Sequence, residues 1–156
     1  MPTIQITTHI NAPIARCFDL SRSIDLHQLS TSKTNERAIS GFTTGLINKG
    51  DQVTWEATHF GIRQKLTSLI SEMDSPNTFT DVQLKGAFKY FRHQHFFEYQ
   101  NGQTIMKDVF EFESPLGFLG NLFNKLILTD YMSRFLTERN QVIKHMAESD
   151  EWKKYV

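Results

Sequence analysis

The sequence predicts an α+β fold in which a curved antiparallel sheet packs against one long C-terminal helix. Between Asp51 and Glu113, apolar and polar residues alternate in short runs separated by turn residues, a pattern typical of half-buried strands. From Leu116 to about Glu148, apolar residues recur at helical spacing instead. The sheet must cover its apolar face, and only this helix is long enough to do so. We therefore expect an apolar cavity where the two meet.

The first third of the chain predicts one strand and two helices. Residues 3–10 alternate in the manner of a strand. Asn11 is expected to cap a helix that runs to about Ser21. A second short helix is expected around residues 25–32, and a short strand at residues 35–40. The predicted order is therefore one strand, two helices, about six strands and the long helix.

The size of the chain predicts a single domain. A length of 156 residues suits one domain with a substantial core. We expect this domain to cover residues 1–148 and residues 149–156 to form a peripheral tail. The 13 phenylalanines are first of all typical of a Phe-rich core, although some of their rings would line the cavity.

Charge and cysteine content narrow the possible function classes. Lys+Arg and Asp+Glu both number 17, so the formal net charge is zero, and we expect no nucleic-acid partner. The single Cys17 excludes an intrachain disulfide and a thiolate metal cluster. The N-terminus lacks the pattern of a secretory signal, and no stretch approaches the roughly 20 apolar residues of a membrane span. We therefore expect a cytoplasmic protein without stable membrane insertion.

The last two strands predict a cluster of polar side chains on the inner face of the sheet. Alternate residues of a strand share a face. Arg92 and Glu98 mark the face that belongs in water, so His93 and His95 point inward. The same rule turns Asp108 inward on the last strand. Asn101-Gly102 predicts a hairpin between the two strands. This hairpin brings His95 roughly opposite residues 106–108, which makes a His–carboxylate contact reasonable.

Three interpretations of this cluster remain open. The first is an internal pair that fixes strand register. The second is a ligand-orienting or acid–base group. The third is a metal site with a third ligand from His59 or Asp108. The catalytic candidates are His93, His95 and Asp108. We assign no metal ion, because short-range histidine pairs are common by chance and no thiolate supports one, and we expect no cofactor. Arg139 follows the apolar stripe of the long helix, and we expect it to extend outward or pair with a neighbouring glutamate.

Short motifs run through the same strands and into the last helix. They are Trp55-x-Ala57-x-His59-Phe60-Gly61, Gly86-Ala87-Phe88-Lys89, His93-x-His95-x-Phe97, Met106-x-Asp108-x-Phe110 and Pro115-Leu116-Gly117-x-Leu119-Gly120. Together with the element order, they resemble a bacterial branch of the SRPBCC (START-like, polyketide cyclase/dehydrase-like) superfamily over roughly residues 1–148. The resemblance implies a helix-grip fold with a deep cavity, in a group whose members bind lipids, sterols, quinones or polyketides. It carries no catalytic set over to this chain.

These patterns lead to the hypothesis of a cytoplasmic binding protein for a small apolar or amphipathic ligand, such as a lipid, a quinone or a polyketide-like molecule. The residues expected to line its cavity are Trp55, His59, Phe79, Asp81, Phe97, Met106, Phe110, Leu119, Leu122, Phe123, Leu126 and Tyr131. One alternative is a cyclase, dehydratase or isomerase that uses a His–Asp pair in the same cavity. Another is a protein-interaction module formed by the last helix and the loop Phe42–Ile47.

Overall fold

The structure of the protein is a computed structural model that describes residues 1–114 and 127–156. The strands are β1 (Thr3–Ile10), β2 (Arg37–Gly41), β3 (Gln52–His59), β4 (Ile62–Asp74), β5 (Thr78–Lys85), β6 (Tyr90–Gln100) and β7 (Gln103–Glu113). They form one antiparallel sheet in the order β1-β7-β6-β5-β4-β3-β2. Register shifts within β4, between Thr67 and Ser68 and between Ile70 and Glu72, bend the strand and contribute to the curvature of the sheet.

The described helices complete the predicted α+β order. They are α1 (Ile14–Ser21), α2 (Ile24–Ser30) and α3 (Thr129–Ala147), with short 3-10 helices at Ser32–Thr34 and Asp150–Lys154. One strand, two helices, six strands and a helix therefore follow one another as the sequence predicts. The part of the expected long helix at residues 116–126 lies outside the described residues. None of the helices described here combines the length and hydropathy that a membrane span requires.

The start of α1 differs from the expectation. Pro13, not Asn11, is the residue that precedes the first helical turn, and no side chain caps it. Proline suits this end of a helix because its missing N–H would have no partner there. The Asn11 backbone N–H instead donates to Glu148 Oε2 at 2.8 Å. This bond ties the end of β1 to the residue that follows α3.

Among the described residues, two clusters of buried apolar side chains form the core. The first surrounds Phe18 of α1, whose ring makes edge contacts with Phe79 at 5.5 Å and Phe97 at 5.4 Å between ring centroids. The second joins the phenylalanines of β6 and β7 to Met132 and Leu136 of α3. Each large side chain buried in this way contributes about 1.5–3 kcal/mol. The two clusters hold α1 and α3 on the same face of the sheet.

The hairpin between β6 and β7 has the predicted turn and register. Asn101 and Gly102 have φ angles of 53° and 79°, which the two central residues of a type I′ turn require and which Asn-Gly tolerates best. The pairing places His95 opposite Asp108 and His93 opposite Phe110, and all four side chains are buried.

Candidate functional site

A cavity of about 600 Å³ lies between the inner face of the sheet and α3. Its wall is mainly apolar, and aromatic side chains from several strands and from α3 contribute to it. Among them are Trp55, Phe79, Phe91, Phe110 and Phe135. The volume falls within the range of about 300–1,000 Å³ that small-molecule sites occupy. The part of the chain that the structure describes therefore contains room for a guest molecule of moderate size.

The lining agrees only in part with the residues expected there. Six of the expected residues lie in the cavity wall, namely Trp55, His59, Phe79, Asp81, Phe110 and Tyr131. Leu119, Leu122, Phe123 and Leu126 lie outside the described residues.

Phe97 and Met106 do not line the cavity, contrary to expectation. Both face inward, but they lie near the turn end of the β6–β7 hairpin, where α1 covers the sheet. Phe97 packs on Phe18, and Met106 Sδ accepts a hydrogen bond from Ser21 Oγ at 3.3 Å. An inward-facing residue thus lines the cavity only where α1 does not already fill the space.

Four polar side chains from three neighbouring strands meet on the inner face. Asp81 comes from β5, His93 and His95 from β6, and Asp108 from β7. His93 Nε2 lies 2.8 Å from Asp108 Oδ1, and His95 Nε2 lies 2.8 Å from Asp81 Oδ1. The two imidazoles lie against each other with their centroids 3.9 Å apart and their planes tilted by 36°. Asp81 and both histidines line the cavity, whereas Asp108 is completely buried behind them.

The hydrogen bonds of this cluster run diagonally across the strands. By backbone register Asp81 pairs with His93, and Asp108 pairs with His95, yet each carboxylate bonds the other histidine. The two remaining ring nitrogens therefore also face carboxylates. His93 Nδ1 lies 4.0 Å from Asp81 Oδ1, and His95 Nδ1 lies 3.2 Å from Asp108 Oδ1. The latter contact does not have hydrogen-bond geometry, so the buried His95 Nδ1 lacks a hydrogen-bond partner.

Arg139 turns inward, which corrects the expectation that it extends outward or pairs with a glutamate. Its side chain is 4% exposed. Nη1 donates to Asn140 Oδ1 at 2.9 Å and more weakly to Asp108 Oδ1 at 3.4 Å, while Nη2 donates to the Ser21 carbonyl at 3.3 Å. Asn140 Nδ2 donates to Asp108 Oδ2 at 2.6 Å. A buried guanidinium requires such partners, and Asp108 supplies the charge.

Sequence reasoning missed the role of Arg139 and Asn140, although the sequence contains a signal for it. Both residues lie three or four positions from Leu136 and from Ile143, which are buried residues of α3. This spacing places them on the apolar face of the helix. Two adjacent polar residues on an otherwise apolar helix face indicate a buried polar partner on the sheet.

The pKa of Asp108 lies well below its usual value. Burial alone would raise this pKa, but the contacts with His93 and His95 and the positive charge of Arg139 outweigh burial. Burial also acts to raise the pKa of Asp81, but the hydrogen bond with His95 and the electrostatic contact with His93 outweigh burial and lower it. Both carboxyl groups are therefore ionised at neutral pH.

The two imidazoles have opposite tendencies. Burial and the neighbouring His95 lower the pKa of His93, although Asp108 and Asp81 oppose this shift. Burial also acts to lower the pKa of His95, but the contacts with Asp108 and Asp81 outweigh burial and raise it. A proton shared by the pair therefore resides on His95, and His93 stays neutral.

Two further polar pairs lie in the cavity wall. His59 Nδ1 and the Tyr131 hydroxyl are 2.5 Å apart, and the half-exposed ring of Phe60 packs on Tyr131. His27 Nε2 lies 2.7 Å from Glu36 Oε1. Sequence reasoning did not single out His27 or Glu36, because neither belongs to the strands whose alternation defines the inner face. The cavity is thus apolar with polar pairs at separate places.

Comparisons with known proteins bear on the fold. No family model and no curated protein matches the sequence. A solved Thermus thermophilus protein is 15% identical, with 94% of this chain and 97% of that chain covered and a TM-score of 0.77. Ginseng major latex-like protein 151 from Panax ginseng is 15% identical, with 95% and 98% covered and a TM-score of 0.70.

A START superfamily protein from Mycobacterium smegmatis is 8% identical, with 94% of this chain and 97% of that chain covered and a TM-score of 0.71. Identities this low establish the fold alone, and they do so over nearly the whole length of each chain. They agree with the resemblance that the strand motifs carry. The chain therefore has the helix-grip fold that is found in the START superfamily.

Proposed function

We propose that the protein is a cytoplasmic binding protein that holds a small apolar or amphipathic molecule in the cavity between the sheet and α3. The observation that carries this proposal is a cavity of about 600 Å³ with an aromatic and aliphatic wall. Each 100 Å² of apolar ligand surface removed from water contributes about 2.5 kcal/mol. Rings such as Trp55, Phe91 and Phe110 would supply that burial.

The polar groups of the wall would orient the ligand. Asp81 and His93 lie in the wall next to apolar neighbours, so a hydroxyl or phenol of the ligand would donate to the Asp81 carboxylate. At another place in the wall, the His59–Tyr131 pair offers a second polar contact. A ligand with an apolar body and one or two oxygen functions matches this arrangement. Lipids, quinones and polyketide-like molecules belong to this chemical class.

Thermal unfolding with a panel of fatty acids, quinones and flavonoids tests the proposal. A ligand that binds the folded state alone, at about 100 times its Kd, adds about 2.7 kcal/mol of stability. In a domain of this size we expect the Tm to rise by roughly 5–10 °C. A panel without any shift, together with native mass spectra that show no co-purified small molecule, would contradict the binding function.

A second candidate function is a cyclase, dehydratase or isomerase. The observation that favours it is the pair of adjacent imidazoles in the cavity wall, each with one nitrogen 2.8 Å from a carboxylate. Such a pair can accept and donate protons at a bound carbonyl compound.

Exchange of solvent deuterium into the α-carbon of bound ketones, followed by NMR, tests the catalytic alternative. We expect wild-type protein to catalyse the exchange, and we expect His93→Gln to slow it by about 10²–10⁴-fold. The control is His145→Gln, which alters an exposed histidine of α3 outside the cavity wall. Equal exchange in the wild type, in His93→Gln and in ligand without protein would exclude catalysis by this pair.

A further inference from the structure

The cavity face of β5 and β6 presents three metal-ligating side chains to one point. One ligand atom each from Asp81, His93 and His95 lies within 4.8 Å of the other two. Asp81 Oδ1 is 2.8 Å from His95 Nε2 and 4.0 Å from His93 Nδ1. A tetrahedral ion with ligands at 2.0–2.1 Å separates its ligand atoms by about 3.3 Å. The two observed distances lie on either side of this value, so small rotations of the side chains would complete the site.

Asp108 lies on the opposite side of the two imidazoles. Its Oδ1 is 2.8 Å from His93 Nε2 and 3.2 Å from His95 Nδ1. Histidines that bind a metal commonly direct their other ring nitrogen at a carboxylate, which fixes the orientation of the ring. Each imidazole thus has one ring nitrogen near Asp81, on what we call the ligand side, and the other near Asp108, on the orienting side.

The unpartnered nitrogen of His95 is a second, independent observation. His95 is 2% exposed, and its Nδ1 makes no hydrogen bond although it faces Asp108. A buried polar atom without a partner requires an explanation. If a metal ion occupied Nε2, the ring proton would reside on Nδ1 and would point at the Asp108 carboxylate. The present 3.2 Å contact lacks hydrogen-bond geometry, so the small rotations that complete the metal site would also have to align this N–H with Asp108.

The charges of the cluster favour a cation at this point. Both imidazoles must be neutral to bind a metal ion, so an ion would displace the proton from His95. Two carboxylates and one guanidinium then leave a net negative charge. Arg139 does not lie between the candidate ligands, because its Nη1 contacts Asp108 and Asn140 on the orienting side. A divalent ion would therefore be bound directly by the Asp81 carboxylate, and the Asp108 carboxylate would add negative charge from the far side of the two imidazoles.

We propose that Asp81, His93 and His95 bind a divalent transition-metal ion, with Zn²⁺ as the best match, in the wall of the cavity. Two imidazoles and one carboxylate suit Zn²⁺, Co²⁺ or Fe²⁺, whereas Mg²⁺ and Ca²⁺ prefer sites made of oxygen ligands alone. Three protein ligands leave one coordination position open toward the cavity. The sequence suggested His59 or Asp108 as the third ligand; the geometry points to Asp81 in that role and to Asp108 as the orienting carboxylate.

Titration of metal-free protein with Co²⁺, followed by visible absorption, tests this inference, and competition with Zn²⁺ gives the affinity. We expect one equivalent of Co²⁺ to produce the d–d bands of a four-coordinate site. Asp81→Asn removes a ligand from a partly exposed position, so we expect it to fold. Its affinity should fall by more than the roughly 10–100-fold that loss of an orienting partner costs. His145→Gln, which changes an exposed histidine of α3 outside the cavity wall, should bind as the wild type does.

Absence of the bands in the wild type, or equal affinity in the wild type and in Asp81→Asn, would overturn the metal site. Binding of an apolar probe, measured on the same metal-free samples, separates this result from the proposed function. Probe binding without metal binding overturns the metal inference alone. Metal binding without probe binding overturns the apolar-ligand function and leaves the metal site standing.

Discussion

Ala57→Phe is expected to abolish binding of apolar ligands while the protein stays folded. Ala57 is 5% exposed and lies on the inner face of β3 between Trp55 and His59, where its side chain borders the cavity. A phenylalanine ring there would occupy the space that the ligand needs, and existing free volume would accommodate it without overpacking the core. We expect affinity for a ligand found by thermal shift to fall at least about 100-fold, as measured by isothermal titration calorimetry.

Thr58→Phe is the matched control, because the next residue of β3 directs its side chain to the opposite face of the sheet. It adds a similar ring without entering the cavity and should bind ligand as the wild type does. Ser68→Leu, from β4, narrows the same cavity from another wall and serves if the first variant unfolds. Wild-type affinity in folded Ala57→Phe and in folded Ser68→Leu would show that the ligand binds elsewhere.

Asp108→Ala is expected to cost about 3–5 kcal/mol of unfolding free energy. Asp108 is 0% exposed and contacts His93, Arg139 and Asn140. Its removal would leave a buried guanidinium without a compensating charge, which is the costly way to break a buried ion pair. Denaturant unfolding at neutral pH, with the slope of the transition checked against the wild type, measures the loss.

The neighbouring position provides the control for this substitution. Lys107 is exposed on the outer face of the same strand, and Lys107→Ala should change stability by no more than about 0.5 kcal/mol. Asp108→Asn keeps the shape and one acceptor oxygen, so it should fall between the wild type and Asp108→Ala. A loss below about 1 kcal/mol in Asp108→Ala would mean that the carboxylate does not hold the cluster together.

Local rules were sufficient to predict the late strands. Side chains alternate with a period of two, so a single charged face is enough to turn His93, His95 and Asp108 inward. Asn101-Gly102 fixed the register because few other residue pairs adopt its turn. Both predictions depend on interactions between residues close in the sequence, and both agree with the structure.

Predictions that depend on distant residues were less successful. Arg139 turns inward because Asp108, 31 positions earlier in the chain, offers it a charge. The spacing within α3 places Arg139 on the buried face, but it does not identify Asp108 as the partner. Alternation alone did not decide the face of Asp81, because its strand is mixed on both faces and both Phe79 and Thr80 are buried. Whether an inward residue such as Met106 meets the cavity or meets α1 depends on the packing of that helix.

The contacts of Arg139 also restrict where α3 can lie on the sheet. Apolar contacts have no preferred direction, so a helix held by leucine and methionine alone could slide or rotate at modest cost. One helical turn is 5.4 Å, and a shift of that size would carry the guanidinium away from Asp108 and from the Ser21 carbonyl together. The displaced charge would then remain buried without an acceptor. One ionic side chain thus fixes the position of the whole helix on the sheet.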